Sequence, residues 1–258
     1  MSDRRRQAGS ALILASGSPR RVRMLSLMRI PFTSVPSGID ERPPLPLRPL
    51  RLALWAAEAK ARAVAPGFPY AIVLAADTVV ALNGRAYGKP ADPMEAEVML
   101  KELSGRTHIV YTGVAVVSGK RRRAVTGFSR TFVTMRELSP SVIRGYVETG
   151  EAQDKAGAYA IQGEGRRLVR AIHGPFDNVV GMPMHLVLRL LREAGMKVPA
   201  IKADGAEHEA DTQRRRSSRR NPRRTDPVPA RRGRAGGMRT GRELPAGHNP
   251  EHGRGNRG

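Results

Sequence analysis

Three short segments of this chain carry residue types suited to a phosphorylated substrate. The first is Ala15-Ser16-Gly17-Ser18-Pro19-Arg20-Arg21. An apolar run, Ala11 to Ala15, passes through small residues to Ser18-Pro19, which reads as a helix start with Ser at the N-cap and Pro at the first helical position. Free backbone N–H groups and the helix dipole at such a start favour an anion. Small residues allow close approach, and arginines supply forked donors for phosphate oxygens. The same residues also suit an ordinary capped helix with solvated arginines. The segment is not a Walker A loop, because the Gly-Lys-Ser/Thr ending is missing. The second segment is Asp77-Thr78, expected near the end of a strand over Ala71–Ala76. A carboxylate beside a cleft can hold a divalent cation or take a proton from water, or simply cap a turn. The third is Ile39-Asp40-Glu41, a carboxylate pair whose oxygens suit Mg²⁺ or Mn²⁺, though such pairs are also common surface charge.

Lys60 and Lys89 could neutralise phosphate or stand as solvated side chains. His108, His173 and His185 are scattered, without the close spacing of a zinc site.

The elements that must position these groups alternate between strand and helix. Helices are expected over 20–28, over the apolar face Leu50, Leu54, Ala57, Ala61 and Val64, and from a capping box at Asp92-Pro93-Met94-Glu95 to Leu103. Further helices open at Ser139-Pro140 and span 183–194. Strands are expected over 71–76, continuing through 79–82 to a turn at Asn83-Gly84. Others are expected at 109–117 and 125–135, joined by the basic turn 118–123, with shorter ones at 158–161 and 167–172. Gly38 to Pro46 is a Pro-rich loop. The pattern predicts an α/β fold with a mixed sheet flanked by helices.

Composition sets the limits around this reading. The 258 residues hold 45 Lys and Arg against 23 Asp and Glu, a net charge of +22, and no cysteine. Disulfides and thiolate metal sites are therefore excluded, and polyanions are the favoured partners. Residues 201–258 contain 15 Lys and Arg, 7 Asp and Glu, and no Phe, Tyr or Trp. Such a segment cannot bury enough apolar surface to order itself, so a disordered basic tail is expected there. A flexible arm is expected over 1–10 and the folded domain over 11–200. No apolar run reaches the length of a membrane span, and the start of the chain lacks a signal-peptide core. The expected location is the cytoplasm.

Together the segments resemble the Maf family of nucleotide pyrophosphatases. The matching stretches, in order, are Leu14–Arg21, Ile39–Glu41, Ala57–Ala61, Ala75–Val80, Gly88–Asp92, Leu103–His108, Tyr111–Val114, Asp154–Gly163 and Asn178–Pro183. The resemblance implies hydrolysis of a nucleoside triphosphate between its α- and β-phosphates, using Mg²⁺ or Mn²⁺. It implies a two-lobed fold with a central cleft, like that of inosine triphosphate pyrophosphatases, and a homodimer. By the same resemblance Asp77 is the catalytic proton acceptor, and Glu41 joins it at the cation. Arg20, Thr78 and Gln162 set substrate preference, while Ser16, Arg21, Lys60 and Lys89 lie on the phosphate side. Asp154–Tyr159 with Ile161–Gly163 resembles the branch acting on dTTP and UTP rather than the one acting on 7-methyl-GTP. Ala160 departs from the usual Gly, and its methyl could crowd the pocket. The rival reading is a nucleic-acid-binding or septum-regulating protein with a vestigial site, whose tail makes salt-sensitive contacts to phosphates.

Overall fold

A computed structural model of the chain describes residues 11–118 and 123–198. The expected arm at 1–10, the tail at 201–258 and the centre of the basic turn lie outside the described residues. Among the described residues, seven strands form one mixed sheet. They are β1 (Leu12–Leu14), β2 (Phe32–Ser34), β3 (Ile72–Leu82), β4 (Arg85–Tyr87), β5 (Thr107–Ser118), β6 (Ala124–Met135) and β7 (Val169–His173). Their order is β2-β1-β3-β5-β6-β7, with β4 also on β3. β1 pairs in parallel with β2 and β3, and every other pairing is antiparallel. The helices are α1 (Pro19–Leu27), α2 (Pro49–Val64), α3 (Pro93–Leu103), α4 (Pro140–Glu148), α5 (Phe176–Val180) and α6 (Met184–Glu193).

The strand alternation assigns each residue of β3 to a face. Val73 and Ala75 pack with Ala57, Ala61 and Val64 of α2. Ile72, Leu74 and Ala76 pack on the other face with Leu25 of α1 and Leu186, Leu190 and Leu191 of α6. Val80 and Leu82 belong to a separate cluster with α3 and α4, through Met99, Leu100, Leu103, Ile143 and Val147. Two lobes thus share the β3–β5–β6 sheet, one built on α1, α2 and α6, the other on α3 and α4. Each fully buried Leu of these clusters contributes roughly 2–3 kcal/mol.

Local signals in the sequence account for many boundaries. Ser18, Asp92 and Ser139 cap α1, α3 and α4 with their side-chain oxygens, each followed by Pro. Asn83 and Gly84 both take positive φ, 51° and 80°, as a two-residue hairpin between β3 and β4 requires. At α3 the return bond of the capping box shifts by one residue, with Ala91 N–H rather than that of Asp92 donating to Glu95 Oε2.

Two expectations are corrected. Asp77 is not at a strand end: it is the sixth of eleven residues in β3, opposite Gly113 of β5. Asp and Thr interrupt the apolar run, but the backbone ladder pairs continuously from Ile72 to Ala81 whatever the side chains. Residues 158–161 are not a strand either. Gly157 and Ala158 both have positive φ, 70° and 58°, which turns the chain through a short 3₁₀ segment. The following strand is Val169–His173, and the residues before it, Gly163–Leu168, are a 3₁₀ turn. Among the described residues no helix is long and apolar enough to cross a membrane.

Candidate active site

The sheet has a gap where the chemistry lies. β1 covers β3 at Ile72–Leu74, and β4 covers the same edge at Val80–Leu82. Between them, Ala75–Val79 pair with no strand on that side among the described residues. Leu74 C=O on this edge accepts from Ala15 N–H at 2.7 Å. By alternation, the peptide groups of Ala76 and Thr78 also point toward the gap, away from β5. A cavity of about 1000 Å³ opens there, lined by both lobes. That is the upper end of the range for small-ligand sites. All nine residues singled out from the sequence line it: Ser16, Arg20, Arg21, Glu41, Lys60, Asp77, Thr78, Lys89 and Gln162.

On the α2 face the site is built of charge. Lys60 and Asp77 are buried, 6% and 8% exposed. Lys60 Nζ lies 2.6 Å from Asp77 Oδ1 and 2.9 Å from Glu41 Oε1, so one ammonium joins two carboxylates. Gly113 makes this proximity possible. It pairs with Asp77 and faces α2, and a Cβ there would collide with the Ala53 carbonyl. Its missing side chain lets α2 approach the sheet and bring Lys60 within reach. Burial pushes the Asp77 carboxyl above its ordinary range, and Glu41 adds to this; Lys60 and Arg21 oppose it without cancelling it. A carboxylate raised in this way is a stronger base than a solvated one.

On the other face the site is built of hydroxyls. Arg21 Nε donates to Gly181 C=O at 3.0 Å, and its Nη2 to Thr78 Oγ1 at 3.4 Å. Thr78 Oγ1 lies 3.0 Å from Thr112 Oγ1, and Thr112 donates to Asn178 C=O at 2.9 Å. Asn178 is fully buried, and its amide donates to Val110 C=O and Thr131 Oγ1. Thr131 in turn donates to Pro175 C=O at 2.8 Å. The three-residue spacing of Asn178 from Gly181 lay within a matching segment, but nothing local in the sequence marks Thr112, Thr131 and Asn178 as partners of Thr78.

The rest of the cavity separates structural from available groups. Ser16 Oγ accepts from Ser18 N–H at 3.1 Å and shapes the turn into α1. Arg42 pairs with Asp40, and Lys155 with Asp154. Arg20 on α1 and Lys89 after β4 have no carboxylate partner among the described residues, and they approach the cavity from opposite lobes. Gln162 is exposed at the wall formed by residues 159–163. That wall is held from behind: Tyr146 OH accepts from Ala160 N–H at 3.0 Å, and the hydroxyl of buried Tyr159 bonds His108 Nε2 at 2.7 Å. Ala160 is buried in this wall, outside the positive-φ region, so its methyl costs the backbone nothing. Burial drives His108 down to about 4, keeping it neutral.

An all-oxygen donor set suits a hard divalent cation. Glu41 and Asp77 converge on a single point, now met by the Lys60 ammonium. Among the described residues no group of three or more His, Asp or Glu could hold a metal by itself. The pair therefore fits a cation completed by substrate phosphates and water, the usual habit of Mg²⁺.

The Maf-like protein family matches residues 11–194. A dTTP/UTP pyrophosphatase of Moorella thermoacetica is 51% identical over 189 residues, 73% of this chain and 97% of that protein. The dTTP/UTP pyrophosphatase of Deinococcus radiodurans is 48% identical over 185 residues, 72% of this chain and 93% of that protein. A solved HAM1 protein from Coxiella burnetii is looser, at 15% identity and a TM-score of 0.40 over 72% of this chain and 98% of that one.

Proposed function

This chain belongs to the Maf-like protein family, and from that premise we propose that it is a dTTP/UTP pyrophosphatase, releasing nucleoside monophosphate and pyrophosphate. The observation that carries the reading is the single cavity in which a buried, base-strengthened Asp77 stands between cationic groups from both lobes. In this reading, a water oxygen attacks the α-phosphorus while Asp77 receives the water proton. The bond from the α-phosphorus to the bridging oxygen breaks, and pyrophosphate leaves with that oxygen. Lys89 and Arg21 face the triphosphate from opposite lobes, Arg21 being held by Gly181 and Thr78 against the cavity wall. Such hydrolysis needs positioning and charge neutralisation more than covalent chemistry. Lys60 holds Asp77 and Glu41 in place.

A divalent cation, Mg²⁺ or Mn²⁺, belongs at Glu41 and Asp77, where it would polarise the phosphate oxygens. Arg20, Thr78 and Gln162 select the base. The protein works in the cytoplasm as a homodimer, clearing surplus and modified pyrimidine triphosphates, and its basic residues 201–258 make salt-sensitive contacts with nucleic acid. The deciding experiment offers the purified protein a panel of standard and modified triphosphates with Mg²⁺ or Mn²⁺, scoring monophosphate and pyrophosphate. Rapid turnover of dTTP and UTP is the expected result. No pyrophosphate from any triphosphate, in a folded protein, would overturn it.

A further inference from the structure

Hydrogen-bond direction along the hydroxyl chain defines what Thr78 can offer a ligand. Thr112 has one hydroxyl hydrogen, and it is committed to Asn178 C=O, which can only accept. The contact between Thr78 and Thr112 must therefore be made with the Thr78 hydrogen, Thr78 donating. Arg21 Nη2, which can only donate, takes one lone pair of Thr78 Oγ1. What Thr78 retains is a single lone pair. Gly181 leaves that oxygen uncovered, since a Cβ there would lie 3.2 Å from Thr78 Oγ1. A phosphate oxygen cannot use this position, because both groups would be acceptors. The partner must be a donor on the base or sugar.

We propose that Thr112, acting through this chain, is a positioning residue that holds Thr78 as an obligate acceptor for the N3–H of uracil and thymine. The proposal rests on the pyrophosphatase reading above. Cytosine in the same pose turns an N3 lone pair toward the Thr78 lone pair, leaving both unpaired. Thr112 is 0% exposed, so it touches no substrate and acts only through its hydrogen. Asn178 C=O also accepts from Gly181 N–H at 3.0 Å, so α5 keeps its end when the Thr112 hydroxyl is removed.

The test is T112V, which keeps the shape and removes the hydroxyl. The Thr78 hydrogen is then free to turn toward the cavity. The ratio of kcat/KM for UTP over CTP should fall by about tenfold or more, the usual weight of one buried hydrogen bond, and T112S should restore it. Equal losses on both nucleotides, with the ratio unchanged, would overturn the proposal and leave Thr112 a merely structural residue. The wild-type protein supplies a second measurement that needs no variant. It should reject UTP methylated at N3, and equal acceptance would overturn the proposal. Calorimetric affinities for α,β-imido UTP and CTP read the same ratio without turnover. A wild-type protein that prefers the UTP analogue but hydrolyses nothing would therefore sink the pyrophosphatase reading and spare this one.

Discussion

Asp77 and Thr78 are adjacent in β3 yet belong to two differently built half-sites. Asp77 faces α2 among charges, where one ammonium holds two carboxylates within 3 Å. Thr78 faces α5, where beside the Arg21 guanidinium it meets the hydroxyl of Thr112, and the hydroxyls of Thr112 and Thr131 each end on a backbone carbonyl. Charge acts over distance and tolerates small errors in placement, which suits a site that must neutralise phosphates. A hydroxyl chain acts only by contact and direction, which suits discrimination between bases. The charged half is also the costlier to leave incomplete, because a buried ion without its partner loses far more than a buried hydroxyl does.

The comparison is most strongly tested by D77N. Pyrophosphate release should fall by about 100-fold to 10,000-fold, the range for loss of a general base, with the fold intact. Unchanged turnover would remove Asp77 from the chemistry. In the wild-type protein the acid limb of kcat/KM should lie above 3.8, the ordinary carboxylate value, because activity requires the ionised form of a raised group. A limb at or below that value would show that the charged half does not tune its base.

Next in size is K60M, which leaves Asp77 and Glu41 without their shared cation. Unfolding by urea should show a loss of about 3–5 kcal/mol near neutral pH, shrinking as pH falls and the raised Asp77 carboxyl protonates. G113A should follow, at about 1–3 kcal/mol, because α2 must move off the sheet. It should lower turnover of UTP and CTP alike, since it disturbs only the charged half; a change in their ratio would show that the halves are coupled.

The smallest effect of a substitution on stability belongs to T131V, at about 1–2 kcal/mol for the two neutral hydrogen bonds of that hydroxyl, to Pro175 C=O and from the Asn178 amide, with the pH profile unmoved. The wall behind Gln162 gives a separate pH signal. His108 is held near pKa 4, against 6.5 when free. Between those values the unfolded chain takes up a proton that the folded chain refuses, so stability falls as pH falls through this window. The loss should reach at most about 3 kcal/mol, and H108Q should remove that dependence. A wild-type protein equally stable at pH 6.5 and pH 4.5 would contradict the burial of this ring.

Much of the frame could be read from local pattern. Ser18-Pro19, Asp92-Pro93 and Ser139-Pro140 start helices because a side-chain oxygen satisfies free N–H groups at hand. Asn83-Gly84 makes the hairpin because both residues tolerate positive φ. What escaped depended on distant partners. β2 and β4 are three residues each, too short for alternation to show. The 158–161 segment has strand-like composition, but Gly157 packs against Val80 with positive φ and turns the chain away. Asp77 looked like a terminus because its polarity breaks an apolar run, whereas β5 supplies a ladder that ignores side chains.

By itself, the sequence determined that a carboxylate and a hydroxyl would stand side by side next to an apolar strand; the ladder with β5 runs that strand through both, and alternation with period two then sends them to opposite faces. It also determined, through motifs that resemble those of a known family of enzymes rather than through physics alone, which polar residues to watch. Only the tertiary structure decided whom they meet. Lys60 reaches Asp77 across 17 residues and Thr112 reaches Asn178 across 66, and a hydroxyl has no fixed direction until such a partner claims its hydrogen.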